Sequence, residues 1–540
     1  MTTSYNTILG TDTANTLVGT TGADSIAALA DDDFINGLGG ADILYGGDGN
    51  DTIFQPSAAA SALVQGNAGN DTISIGASFA SATIRGGAGN DTLTFTSANA
   101  SAAVIYGDLG NDTILIGGSV VSSTVQGGSN TDTTADGADS IWVTGSLSAA
   151  FVQGNAGNDV INIGNGTGSV FNSTVRGGAG DDAMNFGGPS ITSSLIQADL
   201  GSDIIIATSS AIIGSTVYGD NGDSTSSTTS GGNDALDFRA VDTVRSVQFL
   251  AGSGNDDILV GNAITDNIQN SLIQGNGGND AIFVTGSLVN VTVRGGSGND
   301  TLQVDFGAGF NQSVYADLGN DLVDAVADSA TTVYGGDGND TIYLNITSGV
   351  VYGDAGNDSL GITVDTNNTT VYGGDGNDRI GTAAAITGEA NNYFGGNGND
   401  TFDFESVIGS AIVGGAGNEV ISFTSDASST SILGGGGNDS LLITQTTTSS
   451  GTTYFFGFGT GNDTIAFGGA ATGSANLTIA VSADYGSTGT LQLNANNSAT
   501  LTLGANGSIY FANVGTGTGT FAAQTINIVT VSESSISAFG

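Results

Sequence analysis

Residues 18–53 read VGTTGADSI, AALADDDFI, NGLGGADIL, YGGDGNDTI, four nine-residue units without a gap. Their acids, Asp24, Asp33, Asp42 and Asp51, fall at a strict spacing of nine, and two residues after each stands an apolar side chain: Ile26, Ile35, Leu44, Ile53. A looser copy, LGTDTANTL, precedes them from Leu9. A unit this short cannot bury a face by itself. It does so only by stacking on its neighbours, so the period alone argues for a solenoid.

After Asp51 the period lengthens. The signature G-x-x-G-N-D-x-apolar recurs as GNAGNDTI from Gly66, GGAGNDTL from Gly86 and GDLGNDTI from Gly107, and so on to GTGNDTI ending at Ile465. Its acids are Asp71, Asp91, Asp112, Asp139, Asp159, Asp182, Asp203, Asp234, Asp256, Asp280, Asp300, Asp321, Asp340, Asp358, Asp378, Asp400, Glu419, Asp439 and Asp463, most of them 18 to 24 residues apart. Two longer intervals hold the Ser/Thr/Asp-rich inserts Ser129–Gly137 and Asp223–Ser230, which read as surface loops. The segment behind each acid alternates as a strand does (Thr72-Ile73-Ser74-Ile75; Thr92-Leu93-Thr94-Phe95), and a second strand leads into the next turn (Ser81 to Arg85; Ser173 to Arg176). No stretch keeps a helical apolar period.

The expected fold class is therefore all-β: a right-handed parallel β-roll or β-helix whose coils run strand, small-residue turn, strand, Gly-rich turn. The pattern divides the chain into a nonapeptide β-roll over 1–53, a β-helix of about 20-residue coils over 54–465, and a C-terminal β domain or cap over 466–540, where the motif stops but strand-like segments persist (Asn476 to Val481, Ala499 to Leu503, Ser508 to Phe511). The residue before each Gly-rich turn forms a column of its own: Gln65, Arg85, Tyr106, Gln126, Gln153, Arg176, Gln197, Tyr218, then Gln274, Arg294, Tyr315, Tyr334, Tyr352 and Tyr372. Cross-strand pairing accounts for it, and the run from Tyr315 to Phe394 is also a candidate aromatic strip for sugars or proteins.

Composition removes whole classes of chemistry. The 540 residues hold 52 acids against six basic residues, all Arg, for a formal charge of −46, with no His and no Cys. Imidazole triads, H-E-x-x-H zinc sites, thiolate nucleophiles and Cys-ligated metals are excluded. Nucleic acid and anionic membrane surfaces reward Lys and Arg clusters that this chain lacks. No apolar run is long enough to span a bilayer, and Met1 to Gly10 has neither a basic nor an apolar leader region. Arg239, Arg245 and Arg379, each near an Asp, form no recognisable catalytic constellation, so no enzyme is expected.

The natural partner of such a chain is a cation. In a turn written G-G-x-G-N-D the glycines allow left-handed backbone and close approach, so carbonyls point into a shared space beside the acid. Stacked turns bring carbonyls of two coils and a carboxylate from each to one point, about six hard oxygens, which suits Ca²⁺ better than the stricter Mg²⁺. The candidate ligands are the acids above, from Asp24 to Asp463, with backbone carbonyls of turn residues such as Gly46, Asp48, Gly86, Ala88, Gly295, Ser297, Gly335, Asp337, Gly373 and Asp375. On the order of 20 ions would then offset most of the negative charge.

These turns resemble GGXGXDXUX, the calcium-binding nonapeptide of the RTX (repeats-in-toxin, haemolysin-type) family. The resemblance implies two calcium rows over 18–53, Asp24 stacking on Asp42 and Asp33 on Asp51. Beyond 54 one half-coil is Ser/Ala/Thr-rich (Ala58–Ala62, Ala77–Ser81, Ser97–Ala103), implying one row on a single side. Glu419 is a methylene too long, Asp182 follows Asp181 where Asn is usual, and the Asp139 and Asp234 turns carry inserts, so weaker or missing ions are expected there. The turn's third position, occupied by Thr in ice-binding relatives, reads Asp48, Ala68, Ala88, Leu109 here, which argues against ice binding. The resemblance further implies type I secretion by an uncleaved C-terminal signal around Ile528 to Gly540, an extracellular or cell-surface location, and folding on meeting external calcium. A chain that is nearly all repeat resembles RTX-type surface-layer and sheath proteins, whose partners are copies of themselves and cell-surface polysaccharide. An adhesin binding sugars or surface proteins is the alternative.

Overall fold

The computed structural model describes residues 4–443 except 58–59, 129–135, 221–230, 308–309, 328–330, 347, 363–367, 383–390 and 425–429. Beyond 443 it describes the strands Thr453–Gly457, Gly461–Phe467, Asn476–Ser482, Thr490–Leu493, Ala499–Thr502, Gly507–Ala512 and Thr525–Val531. The chain forms two compact units, Met1–Gly286 and Ser287–Gly540. Among the described residues there is no helix.

In the first unit each coil lies on the next in parallel, and each apolar position meets its equivalent. Thr83–Ala88 pairs with Leu63–Ala68 on one side and Val104–Leu109 on the other, so that Ile84 lies between Val64 and Ile105. Behind the turn Thr92–Phe95 pairs likewise with Thr72–Ile75 and Thr113–Ile116. The apolar residue two places after each acid is buried, from Ile26 and Ile35 through Ile73, Leu93, Met184 and Ile258, each at most 1% exposed. A one-residue slip would turn that whole column outward, which fixes the register.

The small-residue half-coil does more than turn. Phe79–Ala80, Ala100–Ser101, Val120–Val121, Leu147–Ser148 and Val170–Phe171 pair as a third parallel ladder, where two strands per coil are expected from the sequence. The cause is the corner that follows: Ser81 (φ 55°), Ser122 (48°), Asn172 (48°) and Ser193 (50°) are left-handed, so one residue bends the chain and leaves the two before it extended. A small buried residue comes next. Where it is Ser the hydroxyl is used twice, as when Ser123 donates to the Val121 carbonyl (2.8 Å) and accepts from the Ala103 amide (2.9 Å). The Ser/Ala-rich half-coil thus builds a tight, satisfied corner.

The second unit repeats the plan with longer strands behind the turns, such as Thr301–Phe306, Leu322–Ala327 and Thr341–Ile346, around an aromatic core that includes Tyr393, Phe402, Phe404 and Phe423. Past residue 465 the chain does not start afresh. Asn476–Ser482 pairs in parallel with Thr453–Gly457 and Thr525–Val531, and Gly507–Ala512 with Gly461–Phe467, while Thr490–Leu493, Ala499–Thr502 and Gly507–Ala512 form an antiparallel meander. Residues 532–540, which carry most of the candidate secretion signal, and insert residues 129–135 and 221–230 lie outside the described residues.

Candidate metal centre

The Gly-rich turn is built on two left-handed positions, the second and the fourth: Gly87 (φ 124°) and Gly89 (132°) in the turn Gly86–Asp91. Where the second is not Gly it is mostly Asn or Asp, as at Asn67 (82°), Asp108 (83°), Asn155 (91°) and Asp317 (78°), the L residues that tolerate this conformation best, with Leu29 (89°) the exception in the nonapeptide segment. The fifth position holds the pitch. The Asn70 amide donates to Asn50 Oδ1 and the Asn90 amide to Asn70 Oδ1, both at 2.7 Å, and the second unit repeats this from Asn320 to Asn339, Asn357 and Asn377.

The sixth position is the acid, and every one named above is buried, none more than 3% exposed. In the first unit each carboxylate from Asp42 and Asp51 onward accepts, through Oδ1, the backbone amide of the acid one coil earlier. The bonds run Asp33 to Asp51, Asp51 to Asp71, Asp71 to Asp91 and onward to Asp280, at 2.7 to 2.9 Å. In the second unit the same ladder joins Asp300, Asp321, Asp340, Asp358, Asp378 and Asp400. The other oxygen differs. Oδ2 of Asp51, Asp71, Asp91, Asp112, Asp139, Asp159, Asp182, Asp203, Asp234 and Asp256, and of Asp321, Asp340, Asp358, Asp378, Asp400 and Asp439, is buried with no protein hydrogen-bond donor.

Those oxygens share a space with a carbonyl. Around the ideal Cβ position of Gly335, the first residue of its turn, Oδ2 of Asp340 lies at 2.6 Å and the carbonyl oxygen of Gly353, one coil on, at 2.5 Å. The same pair of groups meets at Gly66 (Asp71 and the Gly86 carbonyl), Gly86 (Asp91 and Gly107), Gly295 (Asp300 and Ala316) and Gly373 (Asp378 and Gly395). First-position carbonyls such as those of Gly86 and Gly373 therefore point beside an acid. The third-position carbonyls of Ala88, Asp337 and Asp375 each accept a ladder hydrogen bond from Gly69, Gly319 and Gly356, at 2.7 to 2.8 Å, which leaves one lone pair apiece. Asp48 and Ser297 occupy the same place at the strand end. Among the described residues no three acidic side chains meet at one point. An ion must therefore draw on carbonyls as much as on carboxylates.

Burial, and after it the neighbouring acids, push these carboxyls up from the ordinary 3.8: Asp51, Asp378 and Asp463 to about 6, Asp71, Asp91, Asp112, Asp321 and Asp358 to about 7, and Asp139, Asp182 and Asp234 to about 9. A column of buried acids about one strand spacing apart, with one oxygen each left without a donor, is an arrangement that a protein stabilises with cations. The donors present fit a hard divalent ion that accepts carbonyl and carboxylate oxygen. Bound there, such an ion would neutralise the column and tie successive coils together.

Of the positions doubted from sequence, the three Asp keep the ladder and Glu419 does not. Asp139 and Asp234 return to the ladder despite the inserts ahead of them. Asp181 takes the fifth-position role, its Oδ1 accepting the Ser202 amide at 2.9 Å, and leaves Asp182 in line. Glu419 is fully buried with neither carboxylate oxygen bonded, and its extra carbon lies by Gly414. The row through Asp24 and Asp42 is different. Asp24 Oδ2 accepts the Thr20 amide (2.6 Å) and hydroxyl (3.0 Å), and Asp42 Oδ2 accepts Gln55 Nε2 (2.7 Å). Against the cost of burial, hydrogen bonds from Thr20 and Asn6 hold Asp24 below the usual range. Protein donors already satisfy these two acids, and Gln55 ends their row where the single-sided coils begin.

One feature escaped sequence reasoning. Arg85, Arg176 and Arg294 each clamp, through Nε and Nη2, an Asp at the second turn position of the next coil: Asp108, Asp199 and Asp317, with Nε contacts of 2.8, 2.8 and 2.9 Å. The signal was present, since Asp-Leu replaces Gly-Ala in the turn one coil after each of these three Arg residues. Tyr315, Tyr334, Tyr352, Tyr372 and Phe394 stack face to face with centroids 4.7 to 5.0 Å apart and planes within 12°, and Arg294 lies over Tyr315. The rings spend their faces on one another, so the strip offers no open platform for a sugar. Arg239 and Arg379 pair with Asp237 and Asp403.

A model of the RTX calcium-binding nonapeptide repeat matches the chain over residues 9–44, 29–54, 82–114, 144–170, 165–188, 283–312, 327–360 and 365–382. Along these segments the chain carries RTX repeats. Calcium is thus the ion of these turns, and the RTX turn geometry extends beyond the matched segments, to Asp234, Asp256, Asp400 and Asp439. No curated protein matches the chain.

Proposed function

We propose that this RTX protein is a secreted structural protein of the bacterial cell surface that folds on calcium and assembles with copies of itself into a surface layer, sheath or filament. The observation that carries the reading is the acid column, in which nearly every coil buries a carboxylate oxygen that no protein group satisfies. Such a column opposes folding without cations, so the chain stays unfolded and exportable where calcium is scarce and folds where calcium is plentiful. On the order of 20 ions is the full complement. A scaffold, not an enzyme, suits a chain whose coils repeat one architectural unit and whose Arg residues, in four of six cases, hold an Asp on a neighbouring coil.

Electron microscopy of the purified chain tests the assembly, with calcium and with EGTA. Ordered sheets or filaments that appear with calcium and disperse in chelator support it. Monodisperse single chains at high concentration in calcium would refute it and favour the adhesin.

A further inference from the structure

The first unit carries a recess that the calcium column does not use. On the outer face of the strands behind the turns, Trp142 is followed in strict register by Asn162 and then Asn185. One indole beside two short amides makes a step in that face, and the step opens a recess of about 120 Å³, bounded also by Thr144, Asn165 and Gly187. The rim is fixed, because the Gly166 amide donates to the Gly187 carbonyl at 2.8 Å and the Gly168 amide closes back onto Gly164.

We propose that this recess is a binding subsite for one ring of a neutral polysaccharide. Three observations carry it. The indole, the single Trp of the chain, remains 43% exposed, and the residues in register with it one and two coils on are short amides that cannot cover its face. Asn185 Nδ2 donates to Asn162 Oδ1 at 3.1 Å, whereas Asn162 Nδ2 is a buried donor with no acceptor in the protein. An acceptor from outside, such as a sugar hydroxyl, would complete it. Finally, the polar groups lining the recess are amides and a hydroxyl, with no charged side chain among them to hold an anion or a cation. An apolar wall with a few placed amides is how proteins hold a sugar ring, and the recess is well below the roughly 300 Å³ of a pocket for a larger ligand. The stacked Tyr strip, by contrast, spends its ring faces on its own neighbours. This subsite does not depend on the assembly proposed above.

Because the chain has a single Trp, its emission reports on this recess directly. The calcium-loaded full chain is titrated with linear oligosaccharides of glucose, mannose, galactose and N-acetylglucosamine, and with a sialylated oligosaccharide as the anionic comparison. A neutral probe is expected to shift the emission and protect it from acrylamide. Calorimetry should then show Trp142→Ala and Asn162→Ala each weakening that probe about tenfold, with the β signal intact, while Tyr343→Ala, an exposed ring in the second unit, leaves it unchanged. Three results would each overturn the proposal: no emission change with any neutral probe up to about 10 mM, affinity that survives both Trp142→Ala and Asn162→Ala, or preference for the sialylated probe.

Discussion

A single methyl group can be used to fill one calcium site. In Gly335→Ala the new Cβ would lie 2.6 Å from Oδ2 of Asp340 and 2.5 Å from the carbonyl oxygen of Gly353, inside any allowed carbon–oxygen contact. Gly335 does not have a left-handed φ, unlike Gly336 (109°) and Gly338 (142°) beside it, so Ala adds no backbone strain. What the methyl takes is the space that the two oxygens share. Losing one ion costs RT ln(1 + [Ca²⁺]/Kd), about 2.7 kcal/mol when calcium stands at roughly 100 times Kd. The gap between variant and parent should then widen by about 1.4 kcal/mol for each tenfold rise in calcium, whereas a purely steric clash would give a constant gap. Gly436→Ala is the control, because nothing lies within 4 Å of its Cβ position. The assay is thermal unfolding at several calcium concentrations together with ion counting by equilibrium dialysis. Gly335→Ala is expected to bind at least one ion fewer than the parent, and Gly436→Ala the same number. An unchanged ion count, or a stability gap independent of calcium, would refute the reasoning.

Other expectations follow from the same structure. Burial raises Asp71, Asp91 and Asp112 from 3.8 to about 7 and Asp139 and Asp234 to about 9 in the ion-free fold, so these acids favour it at low pH and lose that contribution as pH rises through 7 to 9. In EGTA the circular dichroism β signal should therefore grow on acidification from about pH 8 to about pH 5. With calcium the sign reverses, since the ligand must be deprotonated, and the calcium concentration at half-folding should rise as pH falls. A β signal in EGTA that weakens over that pH range contradicts the burial argument. Arg176→Gln leaves Asp199, whose side chain is 4% exposed, with Gln197 alone, and should cost about 2 kcal/mol in urea unfolding. Arg239→Gln, at an exposed pair, should leave the midpoint unchanged. Tyr352→Ala removes two stacked contacts of 5.0 Å and should cost about 2 kcal/mol while reducing the near-ultraviolet dichroism of the coupled rings.

The solenoid and its acid column were legible because both are set by spacing. An apolar residue two places after each acid can be buried in one register only, and the left-handed turn positions admit Gly, Asn and Asp and little else. The third ladder was not legible. It depends on single left-handed residues, Ser81, Ser122 and Ser193, that look like any other Ser in a Ser-rich stretch. The Arg clamps were missed for another reason: Arg85 and Asp108 are 23 residues apart, and only the stacking of one coil on the next makes them neighbours. At the candidate site, sequence alone placed Asp24 and Asp42 beside Asp33 and Asp51 as equals. The difference lies in Thr20 and Gln55, side chains outside the repeat signature that supply hydrogen bonds where the main column has none.

The central claim is that calcium makes the buried acid column compatible with folding. The most direct measurement strips the chain with EGTA at about pH 8 and then titrates calcium, following circular dichroism and bound ions together. A largely unfolded spectrum that converts cooperatively to β as on the order of 20 ions bind is the expected result. A fully folded β spectrum in chelator, before any calcium is added, would contradict the account.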